Sequence, residues 1–153
     1  MIKILENLYD LTVAKNTDYG NSFMKGIEEF GLLTSIIRIG DKINRINKLT
    51  TSNNLVKNET ILDTYQDLLN YSLLTILFLN NGYLENKDLY DKYKELCEHV
   101  SKFSDDYKVI YNLDHFYKEI KNIYKNDNLQ MYATLEPYLN IVYTCLNKLT
   151  NIK

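Results

Sequence analysis

The sequence predicts an all-α protein, a single-domain antiparallel helical bundle. Three observations carry this. Apolar residues recur at three- and four-residue spacings through most of the chain. There is one proline, and the five glycines sit mostly between the periodic segments. No stretch alternates apolar and polar residues for the length of a useful strand.

The helices follow in order. Ile4, Leu5, Leu8 and Leu11 mark one side of a first helix over about 3–14. The segment KNTDYGNSF, Lys15 to Phe23, has no apolar period and reads as a loop. Ser22 then caps a short helix carrying Phe23, Ile27 and Phe30, which Gly31 ends. A long amphipathic helix follows, with Leu32, Ile36, Ile39, Ile43, Ile46 and Leu49 inward. Past a polar connection, a second long helix over about 59–80, with Asn58 as cap, buries Leu62, Leu69, Leu73, Ile76 and Leu77. Gly82 stops it. The two long helices are expected to pack antiparallel.

Three more helices complete the chain. One over about 86–103 shows Leu89, Tyr93, Leu96, Val100 and Phe103. One over about 113–125 shows Leu113, Phe116, Ile120 and Ile123. The last, about 135–151, buries Leu139, Val142, Leu146 and Leu149, with Thr134 as cap and Pro137 in its first turn. Short connections favour antiparallel neighbours. Residues 1–82 read as a motif-bearing core and 83–153 as accessory helices of the same domain.

Composition narrows the function. With 153 residues, 45% hydrophobic and 25% charged, the chain can bury a sizeable core. A net charge of -2 argues against a non-specific nucleic-acid coat but leaves room for a local cationic site. Cys97 and Cys145 lack CxxC spacing and read as buried thiols rather than zinc ligands. His99 and His115 have no companion at ligand spacing and read as structural or solvent-exposed. The N-terminus lacks the apolar stretch of a signal peptide. The longest apolar run, 68–79, is too short to span a bilayer and contains Asn70. A cytoplasmic protein without membrane contact is expected.

Chemistry concentrates on the polar faces of the long helices. Arg38, Asp41 and Arg45 form one stripe. Glu59, Asp63, Asp67 and Asn70 form another, within an arc of about 80° at helical spacing. Carboxylates so close need a cation among them. Arg38 and Arg45 of the partner helix supply one answer, a charge network. Mg²⁺ held by Asp41, Asp63 and Asp67, with Glu59, supplies the other. In either case Asp41, Asp63 and Asp67 should lie near one another, with Arg38 within ion-pair reach.

The KNTDYGNSF segment offers what a nucleobase needs: the amides of Asn16 and Asn21 and the ring of Tyr19, with Lys15 for a phosphate. Gly20 permits a close backbone approach. A plainer account is an Asx-turn and helix cap made by Asp18, Asn21 and Ser22.

These blocks, KNTDYGNSF, RIGDKINRI and DTYQDLLNY, resemble in order the signature blocks of the nucleotide modification associated domain family (type 1), found mainly in phages and low-GC bacteria. The resemblance covers about residues 12–80 and implies nucleotide metabolism without naming a reaction. A wider similarity links the long helices to the all-α nucleoside triphosphate pyrophosphohydrolases, the MazG and dimeric dUTPase group. Their ExxE and ExxD helices hold Mg²⁺ on a triphosphate. In that alignment Asp41 and Asp67 match acids, Asp63 falls one position early, and Arg38 replaces an acid. The resemblance implies Mg²⁺-dependent hydrolysis of a nucleoside triphosphate, with Asp41, Asp63 and Asp67 catalytic and metal-holding. Lys15, Asn16, Tyr19, Asn21, Arg38, Arg45 and Asn70 would then contact the nucleotide. Arg38 in place of an acid supports the alternative, a non-catalytic nucleotide-binding, sequestering or interaction protein, while the surviving acidic stripe supports the hydrolase. By analogy with the same group, homo-oligomers are expected. The loop is expected to fold over the acidic seam and close one pocket with it.

Overall fold

A computed structural model describes residues 2–19, 21–51, 57–102, 112–126 and 131–151. Within them it describes the side chains of all but 2, 15–19, 57–60 and 131–134. The described residues form helices without strands, as the periodicities predict: α1 (Ile2–Tyr19), α2 (Ser22–Phe30), α3 (Leu33–Thr51), α4 (Lys57–Asn81), α5 (Asn86–Lys102), α6 (Leu113–Lys125) and α7 (Met131–Asn151).

α4 is the central element. It packs against α1, α2, α3, α5 and α7. Its residues explain this, because Leu68, Leu69, Ser72, Leu73, Leu74, Thr75, Ile76 and Leu77 are all buried. A helix apolar nearly all round must be covered on every side. Here protein covers it, and no helix among the described residues is long and apolar enough to cross a membrane. α3 applies Ile36, Ile39, Ile43 and Ile46 to the core, and α7 applies Tyr138, Ile141, Val142, Cys145, Leu146 and Leu149. Buried residues from 1–82 and 83–153 join one cluster.

Several boundaries differ from expectation. α1 runs through Lys15 to Tyr19 instead of ending near 14. Lys is a good helix former and Asn, Thr and Asp are only mediocre ones, so the first strong breaker in the segment is Gly20. α2 takes Asn21, not Ser22, as its N-cap residue. α4 begins at Lys57, which places Asn58 inside the helix. α7 begins at Met131, so Thr134 and Pro137 lie within it rather than at its start. Gly31 and Gly82 do end their helices, at φ 89° and 74°. Each returns its N–H to a carbonyl four residues back, Ile27 at 2.7 Å and Phe78 at 2.8 Å. Leu11 and Phe30 are exposed rather than buried. Thr12 takes the inward place expected of Leu11. Phe103 lies outside the described residues.

α6 closes against α3 at Gly40, where a Cβ would overlap the Tyr117 hydroxyl and Cζ. Asn47 Nδ2 donates to Asp114 Oδ1 at 2.9 Å along the same seam. Gly40→Ala is therefore expected to destabilise the protein by about 1–2 kcal/mol, although alanine is the better helix former. In a Tyr117→Ala background the same change should become stabilising. Urea unfolding of the four proteins checks the reversal.

Candidate functional site

The outward face of α3 sets the site. Arg38, Asp41, Lys42, Arg45 and Lys48 share an arc of about 120° at helical spacing. Together with Asn44, and Tyr71 from α4, they line a groove of about 640 Å³. Four cations face one carboxylate in this lining, so its potential favours an anion.

Two of the cations are held in place. Lys42 Nζ lies 2.9 Å from Asp67 Oδ2 on α4. Both groups keep part of their surface in water, 24% and 36%, so the pair orients Lys42 more than it stabilises the fold. Phe23 of α2 stacks on Tyr71 with centroids 5.0 Å apart and planes 11° apart. The Arg38 guanidinium lies 5.5 Å from the Phe23 centroid. Lys42 Nζ lies 5.8 Å from that of Tyr71. Each ring thus faces one cation with its negative π surface. Lys42 thus meets both Asp67 and Tyr71 of α4, and Arg38 meets Phe23 of α2.

On the opposite flank Asp41 lies near Tyr117 of α6. Burial first, then the Asp41 charge, pushes the Tyr117 hydroxyl pKa up.

The structure brings Arg38, Asp41 and Arg45 into this groove and puts Asp67 at its edge. Asp63 is exposed. The Glu59 side chain lies outside the described residues. Among the described residues, no group of three or more His, Cys, Asp and Glu is placed to hold a metal. The cation beside Asp67 is Lys42 rather than Arg38 or Arg45, the partners that the expected charge network offered. Lys42 and Lys48 were absent from the sequence-predicted set. Their signal was present, since both continue the Arg38–Arg45 stripe.

Other expected contacts lie elsewhere. Asn70 Oδ1 accepts from Thr12 Oγ1 at 3.0 Å and from Tyr93 Oη at 2.9 Å, joining α1, α4 and α5. Asn21 is buried in a left-handed conformation, φ 63°. Its Nδ2 donates to the Leu84 carbonyl at 2.7 Å. The side chains of Lys15, Asn16 and Tyr19, and with them the expected closure over the acidic seam, lie outside the described residues.

Fold and groove together define an all-α bundle with a cation-lined face. Residues 15–79, from the end of α1 through most of α4, match the family described as nucleotide modification associated domain 1, the one that the three sequence blocks resemble. No curated protein and no solved structure matches the chain. The wider likeness to pyrophosphohydrolases is not shown by these comparisons.

Proposed function

We propose that the protein binds a nucleotide, with its phosphates in the α3 groove. One observation carries the reading: Arg38, Lys42, Arg45 and Lys48 converge on a concave face with one opposing acid, inside the family-matched segment. Arg38 and Arg45 can meet phosphate oxygens as bidentate forks, and Lys48 as a point charge. Lys15, Asn16 and Tyr19 remain candidates for the base on residue type alone.

The hydrolase alternative asks Asp41, Asp63, Asp67 and Glu59 to share Mg²⁺. The described carboxylates do not gather into such a set, and Asp67 is engaged by Lys42. Lys42 on Asp67 therefore supports the non-catalytic binding or sequestering reading. The exposed apolar residues Phe30, Leu33 and Ile37 at the α2–α3 junction support a homo-oligomer as part of the same proposal. The cytoplasm of a bacterium or of a phage-infected host suits both a nucleotide ligand and two free cysteines.

Arg45 and Lys48 are exposed, so their replacement spares the core. The double variant Arg45→Glu, Lys48→Glu should bind a nucleoside triphosphate about 100-fold or more weakly, at about 1.5–3 kcal/mol for each lost charged contact. Calorimetric titration in the presence of a chelator measures this. Equal affinities for the variant and the parent protein overturn the proposal.

A further inference from the structure

The cations of the groove form a row rather than a point. From Arg38 to Lys42, Arg45 and Lys48 the helix rises by about 6, 4.5 and 4.5 Å, or about 15 Å in all. A single phosphate engages one or two of them. A chain of phosphates can engage the whole row, since arginine and lysine side chains reach along the groove.

Half of the row, Arg38 and Lys42, is also preorganised without metal. Phe23 and Tyr71 face Arg38 and Lys42, and Asp67 fixes Lys42. Cations fixed before binding lose little freedom when the anion arrives. Asp41 is the one carboxylate in the lining, and Asn44 adds an amide.

We infer that the groove is a metal-free polyphosphate site. It prefers the triphosphate of a nucleoside triphosphate over a mono- or diphosphate and binds it better without Mg²⁺. This rests on the nucleotide-binding reading above. The reason is charge: a triphosphate that carries Mg²⁺ has lost roughly half its negative charge, and the α3 row already supplies what the metal would supply. A single-stranded oligonucleotide shares the phosphate chemistry but is disfavoured. Stacking on Phe23 occupies one face of Tyr71, the ring of the groove, and a strand needs open aromatic faces for successive bases.

Titration of the intact protein with inorganic phosphate, diphosphate and triphosphate, and with ATP and AMP, tests this in chelator and again in excess Mg²⁺. A short oligo-dT serves as the competing strand. Affinity should climb roughly tenfold with each added phosphate. Excess Mg²⁺ should weaken triphosphate binding by about tenfold or more. Arg38→Gln and Lys48→Gln, checked for unchanged helix content, should flatten the climb. If AMP binds as tightly as ATP, the inference fails and the nucleotide reading stands. Tighter binding with Mg²⁺ overturns the inference in favour of a metal-bridged site. If oligo-dT binds more tightly than triphosphate, the ligand is a strand and the inference also fails. If no probe binds, inference and reading fail together.

Discussion

Above about pH 9 the protein should lose stability steeply. The cause is a set of acids that the fold keeps neutral. Burial pushes the Cys97 thiol up to about 12, with a smaller contribution from Glu98. Burial raises Cys145 as well. Among the phenols, burial raises Tyr93 well above its ordinary value and raises Tyr138. In each case the folded state favours the protonated form. The unfolded chain therefore deprotonates first, and rising pH stabilises it. The stabilisation is complete below the unfolded values, near 9 for the thiols and 10 for the phenols, and is lost as pH climbs towards the folded values. Each group contributes a slope of about 1.4 kcal/mol per pH unit. Cys97 alone accounts for about 4 kcal/mol between pH 9 and 12. Two thiols and two phenols acting together can exhaust the stability of an ordinary domain, about 5–15 kcal/mol, by about pH 11. Circular dichroism against pH should show cooperative unfolding in that range. Replacing Cys97 and Cys145 with alanine should remove the pH dependence between 9 and 10 while leaving the tyrosine limb. Constant stability from pH 8 to 11 would refute the account.

The same burial pattern shows why the fold was legible. The α3 isoleucines repeat at helical spacing and leave one wide polar face, so helix and inward side follow together. Where the register was ambiguous, the reading slipped. On α1, Leu5 and Leu8 are followed at helical spacing by either Leu11 or Thr12. Burial goes to Thr12 because Asn70 supplies an acceptor there. No local signal reveals a partner 58 residues away. Phe30 was expected inside because it continues the Phe23–Ile27 spacing, but α2 ends with it and Gly31 turns the chain away.

The site was half legible for a related reason. Composition of the α3 stripe is a local property, so Arg38, Asp41 and Arg45 could be named in advance. Which cation meets Asp67 depends on azimuth. Taking Arg38 as zero, Lys42 stands at about 40° and Arg45 at about -20°, while the Ile36–Ile46 ridge centres near 120°. Lys42 is thus the closest of the three to the buried side, and it is the one that reaches α4. The acidic stripe did need a cation, but a lysine supplies it at Asp67.

Asn70→Ala should destabilise the protein by about 3–5 kcal/mol while leaving the proposed nucleotide binding close to unchanged. Its Oδ1 is the shared acceptor for two buried hydroxyls, those of Thr12 at 4% exposure and Tyr93 at 1%. Truncation leaves both donors without that acceptor, at about 1–3 kcal/mol each, and adds a small cavity where α1, α4 and α5 meet. The apolar replacement Thr12→Val, Tyr93→Phe, Asn70→Leu should recover most of the loss, because it removes the donors along with the acceptor. Urea unfolding of the parent, single and triple variants measures the first effect, and nucleotide titration below the unfolding transition measures the second. A nucleotide contact at Asn70 predicts the reverse pattern, with affinity lost and stability kept. Position 70 therefore separates the role expected from its place on the acidic stripe from the one its hydrogen bonds assign. If Asn70→Ala unfolds at the parent's urea concentration, the Thr12–Asn70–Tyr93 junction does not tie the three helices together.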